Sequence, residues 1–425
     1  QAFYCIFQTR LDNDYKFYFD DGTNIELRNK SKSAFEISNY SLNSEYLLGK
    51  NSALSYYAQF VNSYREVPGV ETGNTPPNTV QLDKNWNNIL KYSFQKKNIT
   101  FTSDFNYQNN LMNYNTYPVL LSYYKNILLA SLNKVEINSK NNSFNFGNEI
   151  QYAALYSNEL NDNINRKHYA IFASSKIVIN NLSFFPSVRY DYISDIKTGA
   201  VTYQFGLNYK PFEKINLHLR GNVSRNFAAP TFNGLYWKSW GNPDLKPEYS
   251  QNYEAGFIFS GKNTVDYTFD FSYMNVEAVD RIVWLPQRYF IWKPFNVGKS
   301  KSEIFMSDGK INFELKDFSV SLSLSYTRSS SKKTSEDFPN DPSSNKQIIY
   351  IPDEQTQSSF SSSLKNFGIN LFHTYTGKRY SDTENLSPMN SVNSLDGNIF
   401  YDLKISDYSA SFKFEINNIT NSDYQ

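Results

Sequence analysis

The chain has no run of apolar residues approaching the roughly 18 or more that a membrane-spanning helix needs, which excludes helical spans. It carries a single cysteine, Cys5, so no internal disulfide can form. Its 42 basic and 41 acidic residues leave a formal net charge of +1, without the excess that marks a nucleic-acid partner. The three histidines, His168, His218 and His373, are too scattered for metal-ligand spacing. No nucleophile–histidine–carboxylate order, paired catalytic carboxylates or phosphate loop stands out, so neither an enzyme nor a cofactor is expected. The segment from Gln1 also lacks the basic, apolar and small-residue order of a signal peptide, which points to an already processed or cropped chain. Only 40% of the 425 residues are apolar, fewer than two or three soluble cores of this total length would draw on.

Aromatic residues, by contrast, are abundant. Tyrosine and phenylalanine number 34 each, alongside many Asn and Ser. That mixture suits a surface that alternates between lipid and water. The alternation is written out locally. Val265, Tyr267, Phe269, Phe271 and Tyr273 are separated by Asp266, Thr268, Asp270 and Ser272. Val320, Leu322, Leu324 and Tyr326 alternate with serines, and Ile215, Leu217 and Leu219 alternate with Asn216, His218 and Arg220. Phe412, Phe414 and Ile416 alternate with Lys413, Glu415 and Asn417. Successive side chains of a strand point to opposite faces, so each segment has one greasy and one wet face. On this evidence alone a soluble sandwich remains open.

Loop rhythm separates the two. Short turns are expected near Ser406-Asp407, Asn366, Lys316-Asp317, Gly261-Asn263, Phe212-Glu213, Asn180-Asn181, Lys140-Asn141, Lys96-Asn98, Gly49-Asn51 and Asp20-Gly22. Between them lie long connections, including Tyr64 to Asn85, Gln108 to Ile127, Phe227 to Glu248, Val279 to Asn296, Ser329 to Thr356 and Gly377 to Asn393. Short turns on one side and long loops on the other are the habit of transmembrane barrels. The expectation is an all-β, transmembrane antiparallel barrel with about 20 of 22 strands, even numbers being the bacterial rule. Its first strand should descend and its last rise. No domain boundary is visible, so 1–425 reads as one barrel domain.

One stretch carries more than periodicity. Arg225-Asn226-Phe227-Ala228-Ala229-Pro230 leads into Asn233-Gly234-Leu235-Tyr236, then Gly241-Asn242-Pro243-Asp244-Leu245-Lys246-Pro247-Glu248-Tyr249-Ser250, Glu254 and Gly256. This closely resembles the barrel signature of TonB-dependent outer-membrane receptors. Asp280-Arg281-Ile282, Asn296-Val297 and Asn417-Asn418-Ile419-Thr420-Asn421-Ser422-Asp423-Tyr424 are similar to segments that follow it in that family. Leu235-Tyr236-Trp237 resembles cobalamin-receptor-like members from Bacteroidota. The resemblance implies a Gram-negative outer-membrane location and an N-terminal plug that engages the TonB complex. A closing strand should end in an aromatic residue. This chain shows neither plug nor closing strand, compatible with a separate plug chain, an incomplete gene or a trimmed sequence. A surface lipoprotein partner is also compatible with the resemblance.

Arg225, Pro230, Asn242, Pro243, Pro247, Glu248 and Glu254 are expected to be structural, with Arg225, Glu248 and Glu254 pairing or hydrogen-bonding at the rim. The candidates for ligand contact are Tyr236, Trp237, Trp240, Trp284, Tyr289, Phe290 and Trp292, because aromatic faces stack on sugars, corrins or protein partners. The competing assignment is the interfacial girdle that anchors such barrels. Lys210, Arg220, Asp266, Asp270, Lys413 and Glu415 are expected to face the lumen. Three functions compete: energised uptake of a bulky nutrient (cobalamin, an iron chelate or an oligosaccharide), a passive open porin, and a barrel hydrolase.

Overall fold

The structure, a computed structural model, describes residues 2–20, 24–30, 32–67, 78–117, 120–286, 292–336, 339–405 and 408–422. The chain opens with β1 (Ala2–Leu11) and a small two-stranded ribbon, β2 (Tyr15–Asp20) and β3 (Ile25–Lys30). A long meander follows: β4 (Phe35–Leu47), β5 (Ser52–Glu66), β6 (Asn78–Lys96), β7 (Ile99–Tyr117), β8 (Leu120–Ser139) and β9 (Asn142–Ser157). It continues through β10 (Ile164–Ile179), β11 (Leu182–Ile193), β12 (Thr198–Tyr209) and β13 (Asn216–Ala228). A five-residue helix, α1 (Phe232–Tyr236), precedes β14 (Glu248–Gly261), β15 (Val265–Pro286), β16 (Trp292–Leu315) and β17 (Phe318–Lys333). The last elements are β18 (Glu354–Leu364), β19 (Phe367–Thr376), the short pair β20 (Arg379–Tyr380) and β21 (Pro388–Met389), β22 (Val392–Ile405) and β23 (Tyr408–Ile416).

Nineteen of these strands form one sheet, and every pairing between them is antiparallel. β1 pairs with β4, each strand from β4 to β19 pairs with its chain neighbour, β19 pairs with β22, and β22 with β23. Within lipid no water is present to satisfy a backbone N–H or C=O, so spanning strands must do it for one another. The register Leu322↔Ile311 on one side and Leu322↔Phe360 on the other shows one strand served by both neighbours.

Side-chain polarity fixes which face is which. Leu322 and Leu324 on β17 are 45% and 49% exposed. Ser323 between them, and Ser319 further along the same inward face, hydrogen-bond to Ser359 and Ser363 of β18 at 2.6 and 2.7 Å. Exposed apolar residues recur around the sheet, among them Phe105, Ile150, Ile171, Val201, Phe205 and Phe414. The accessible surface is 27387 Å². A compact 49.4 kDa globule would expose only about 17,000 Å². The difference is the signature of a hollow wall with two exposed faces.

Nine of the expected short turns join neighbouring strands of this sheet, with Ser406-Asp407 outside the described residues. Five are two-residue turns whose first residue, Lys97, Lys140, Asn180, Lys316 or Lys365, is left-handed with φ between 51° and 54°. The tenth expectation needs correction. Asp20 belongs to the β2–β3 ribbon, which hangs off the connection between β1 and β4 on the long-loop side (Asp21 and Gly22 lie outside the described residues). The sheet therefore has nineteen strands, and β1 rises toward the long loops, as β23 does, rather than descending. Two expected long loops are also largely strand. β7 and β8 cover most of Gln108 to Ile127, and β15 and β16, 22 and 24 residues long, cover most of Val279 to Asn296.

The barrel mouth as candidate functional site

The buried apolar residues gather at one place. Among the described residues, Ala154, Leu155, Leu160, Ile193 and Ala200 lie at the tops of β9 to β12 and Leu235 and Leu245 in the connection after β13, each at most 7% exposed, with Ala170 of β10 the remaining one. They underpin residues 229–247, the connection from β13 to β14, which folds inward over the wall. Pro230 in this connection and Pro294 on β16 are fully buried. Each buried leucine stabilises this packing by about 1.5–3 kcal/mol.

Local chemistry shapes the connection before tertiary contacts hold it. Thr231 caps α1, its Oγ1 accepting from the Gly234 N–H at 3.1 Å. The helix ends at once, because the chain turns back: Gly241 N–H donates to Trp237 O at 2.8 Å and Asn242 N–H to Gly234 O at 2.7 Å. A Cβ at Gly241 would sit 2.7 Å from Trp237 N and 2.8 Å from Leu235 O, so no larger residue fits this approach.

Two sets of hydrogen bonds then tie the connection to opposite neighbours. On one side, Asp195 in the β11–β12 turn accepts two bonds from Arg166 of β10, both 2.7 Å, and a third from the Tyr236 hydroxyl at 3.0 Å. Arg166 also donates to Pro230 O at 3.0 Å and lies 4.7 Å over the Phe232 ring. The Asp195 side chain is 7% exposed. Burial, and then the Asp195 carboxylate, push the Tyr236 phenol up to about 12. Trp237 makes a bridge to Leu160, and its Nε1 donates to Glu159 Oε2 at 3.4 Å. On the other side, Asn296 of β16 accepts from Lys246 N–H at 2.8 Å. It donates to Lys246 O and Asp280 O at 2.9 and 2.7 Å. Asn242 donates to Pro294 O at 3.0 Å, and the Glu248 carboxylate accepts from Ile282 N–H.

Of the aromatic candidates, Trp237, Trp240 and Trp284 come together, with Trp237 centroids 6.1 Å from Trp240 and 6.0 Å from Trp284. All three are half-buried on the mouth side rather than on the lipid face. Tyr236 is taken up by Asp195, Trp292 is 52% exposed at the start of β16, and Tyr289 and Phe290 lie outside the described residues. Pro247 is buried and Pro243 exposed. Arg225 departs from the expected rim pairing. It shares the outward face with Tyr203, its partner across the ladder, and stacks over Tyr249 at 4.8 Å. Glu254 instead forms an ion pair inside the lumen with Arg220 at 3.3 Å, and Arg220 donates to Asp270 at 2.7 Å. Lys413 and Glu415 pair with each other on β23, Asp266 lies 3.8 Å from Lys262, and Lys210 follows the end of β12.

His168 meets Asp191, His218 meets Asn208 and Asn216, and His373 meets Asn393, so the histidines stay apart. Among the described residues no three metal-ligating side chains cluster. Glu159, Arg166 and Asp195 carried no sequence signal, since none lies in a recognisable motif. What the mouth offers chemically is a cluster of indole faces beside an anchored carboxylate, Glu159, which Ser122 also holds at 2.9 Å.

This architecture is that of a transmembrane β-barrel of the Gram-negative outer membrane. The model of the family described as "TonB dependent receptor-like, beta-barrel" matches residues 6–419, and the chain belongs to that family. It is 32% identical over 142 residues to a vitamin B12 transporter of Photobacterium profundum, covering 32% of this chain and 22% of the relative. It is 25% identical over 268 residues to one from Vibrio vulnificus, covering 61% and 39%. These matches therefore span well under half the length of those relatives. Among solved structures, the outer-membrane transporter YddB from Escherichia coli superposes with a TM-score of 0.73 at 10% identity, covering 99% of this chain and 72% of that one. A ferric citrate transporter, FecA, gives 0.70 at 13% identity, covering 94% and 68%. At such identities the structural likeness concerns the fold.

Proposed function

We propose that this chain is the membrane-spanning barrel of a receptor that takes up a scarce, bulky nutrient using inner-membrane energy delivered through TonB. The observation that carries this reading is the anchored 229–247 connection. The family's signature residues build a fixed, aromatic-lined structure at the outer mouth, placed to meet a solute before it enters the lumen. The relatives named for vitamin B12 transport support cobalamin as one solute class, and the ferric citrate neighbour supports iron chelates as another. Oligosaccharides, for which stacked indoles are suited, complete the set. A plug that engages TonB and a surface lipoprotein are part of the same proposal, tested by which proteins co-purify with the full-length receptor. No enzymatic step belongs to it.

The decisive experiment is accumulation of labelled solute by cells expressing the full-length receptor, with and without a protonophore and with TonB deleted. Saturable uptake abolished by either treatment supports the proposal. Uptake that survives both, with steady conductance in planar bilayers, would make the protein a passive pore, the reading that an open wall of this width otherwise supports.

A further inference from the structure

We propose that the short-turn edge of the wall is a lysine collar that holds anionic phospholipid headgroups in the periplasmic leaflet of the outer membrane, whatever solute the receptor carries. The short-turn end of a transmembrane barrel faces the periplasm. Lys50, Lys97, Lys140, Lys262, Lys316 and Lys365 each stand in a different short turn, from β4–β5 round to β18–β19. Lys210 and Lys214 share the β12–β13 turn. Against these eight lysines, the eight turns that join β4 to β19 along this edge carry two carboxylates, Glu213 and Asp317. The opposite end mixes its signs: Glu159 and Asp162 stand in the β9–β10 connection, and Asp195 with Lys197 in the next.

The turns themselves do not ask for lysine. Lys97, Lys140, Lys316 and Lys365 are left-handed, with φ between 51° and 54°. That region suits glycine or asparagine and strains longer side chains. Asn180 fills the same position of the β10–β11 turn at φ 52°. Four lysines therefore stand where asparagine would cost the backbone less, so their side chains rather than the turns account for them. Among the described residues only Lys262 of the eight meets a carboxylate, Asp266 at 3.8 Å, and that lysine side chain is 88% exposed. Height along the wall identifies the occupant. Ile99, Leu315, Leu364 and Phe367 lie one or two residues from these lysines on the outward face, 43–57% exposed. The apolar face thus runs down to the lysines, which stand where hydrocarbon gives way to headgroups. There a lysine stem covers the last apolar side chain while its ammonium reaches a phosphate. The lysines also follow the edge from β4 to β19. An annulus of lipid meets that whole edge at once, whereas a folded partner covers one arc of it. Zwitterionic headgroups offer no net charge to the collar and anionic ones do, so it selects the latter.

The test reconstitutes the full-length receptor in phosphatidylcholine bilayers. Electron paramagnetic resonance then compares how spin-labelled phosphatidylglycerol and spin-labelled phosphatidylcholine associate with the protein surface. Phosphatidylglycerol is expected to be preferred about fivefold at low salt, the worth of roughly one lysine beside an anionic headgroup. The preference should shrink toward one at about 0.5 M salt. In K97N/K140N/K316N/K365N half of the collar is gone, so the preference should fall to about twofold. Its asparagines suit the turns as Asn180 does, so heat-modifiable mobility in SDS gels should be unchanged. The arginine counterpart, K97R/K140R/K316R/K365R, keeps the charge and should keep the preference. Equal preference in the wild type and the asparagine variant, or its loss in the arginine variant, would overturn the collar. So would a wild type without preference that binds isolated peptidoglycan sacculi and loses that binding in the asparagine variant, a result that assigns the lysines to the cell wall.

Discussion

Asp195 is the residue whose loss should show most about the mouth. Its carboxylate accepts two bonds from Arg166 and one from Tyr236, and its side chain is only 7% exposed. Replacing it by alanine leaves the Arg166 guanidinium, 15% exposed, facing Phe232 and Pro230 O without a counter-ion. Removing one partner of a buried pair costs about 3–5 kcal/mol. The rim admits some water, so about 2–3 kcal/mol is the expected loss for holding residues 229–247 in place. Hydrogen exchange of that segment in full-length D195A should then accelerate by about 30- to 200-fold, at 1.36 kcal/mol per decade. Exchange in β17 and β18, on another part of the wall, should not change. The double variant R166M/D195L removes the stranded charge together with its partner, so it should recover most of the protection, to within about 1 kcal/mol. An acceleration below about threefold in D195A, or a double variant worse than the single, would refute the buried-pair argument.

Three further outcomes follow from the same anchors. Asn296→Ala deletes three hydrogen bonds to Lys246 and Asp280, and at about 0.5–1.5 kcal/mol each should loosen residues 241–250 by roughly 1.5–4.5 kcal/mol, read by exchange in that peptide. Gly241→Ala places a Cβ against Trp237 N and Leu235 O, so the turn must open at a cost of about 1–3 kcal/mol. Tryptophan emission should then shift to the red as Trp237, Trp240 and Trp284 separate, while the barrel keeps its heat-modifiable mobility. The Tyr236 phenol is raised to about 12 by burial and Asp195. A raised pKa means stability fully present below the ordinary tyrosine value of about 10 and lost as pH rises through about 12. Exchange of residues 229–247 should therefore quicken across that window, and Tyr236→Phe should remove this pH dependence.

The sequence made the wall legible because a barrel strand carries two solvents in its own pattern: Leu322 and Leu324 meet lipid while Ser321 and Ser323 meet the lumen. What it hid follows from the same fact. Amides read as turn formers in a soluble protein, and Gln108 to Ile127 reads as a loop on that ground. On a wet wall, however, Gln108, Asn110 and Asn126 are ordinary inward residues of β7 and β8. The ribbon tip near Asp20 was indistinguishable from a turn between wall strands, because a local hairpin signal says nothing about which sheet the hairpin joins. The signature located the mouth but not its fastenings. Arg166 and Asp195 are 29 residues apart, and Trp237 and Glu159 are 78 apart. Such contacts exist only once the register has stacked the tops of β9 to β12 side by side. Arg225 shows the converse: inside the motif it read as a rim partner for the glutamates, yet alternation turns it outward onto Tyr249. An inward polar residue is thus ambiguous on its own, since hydration accounts for any single asparagine.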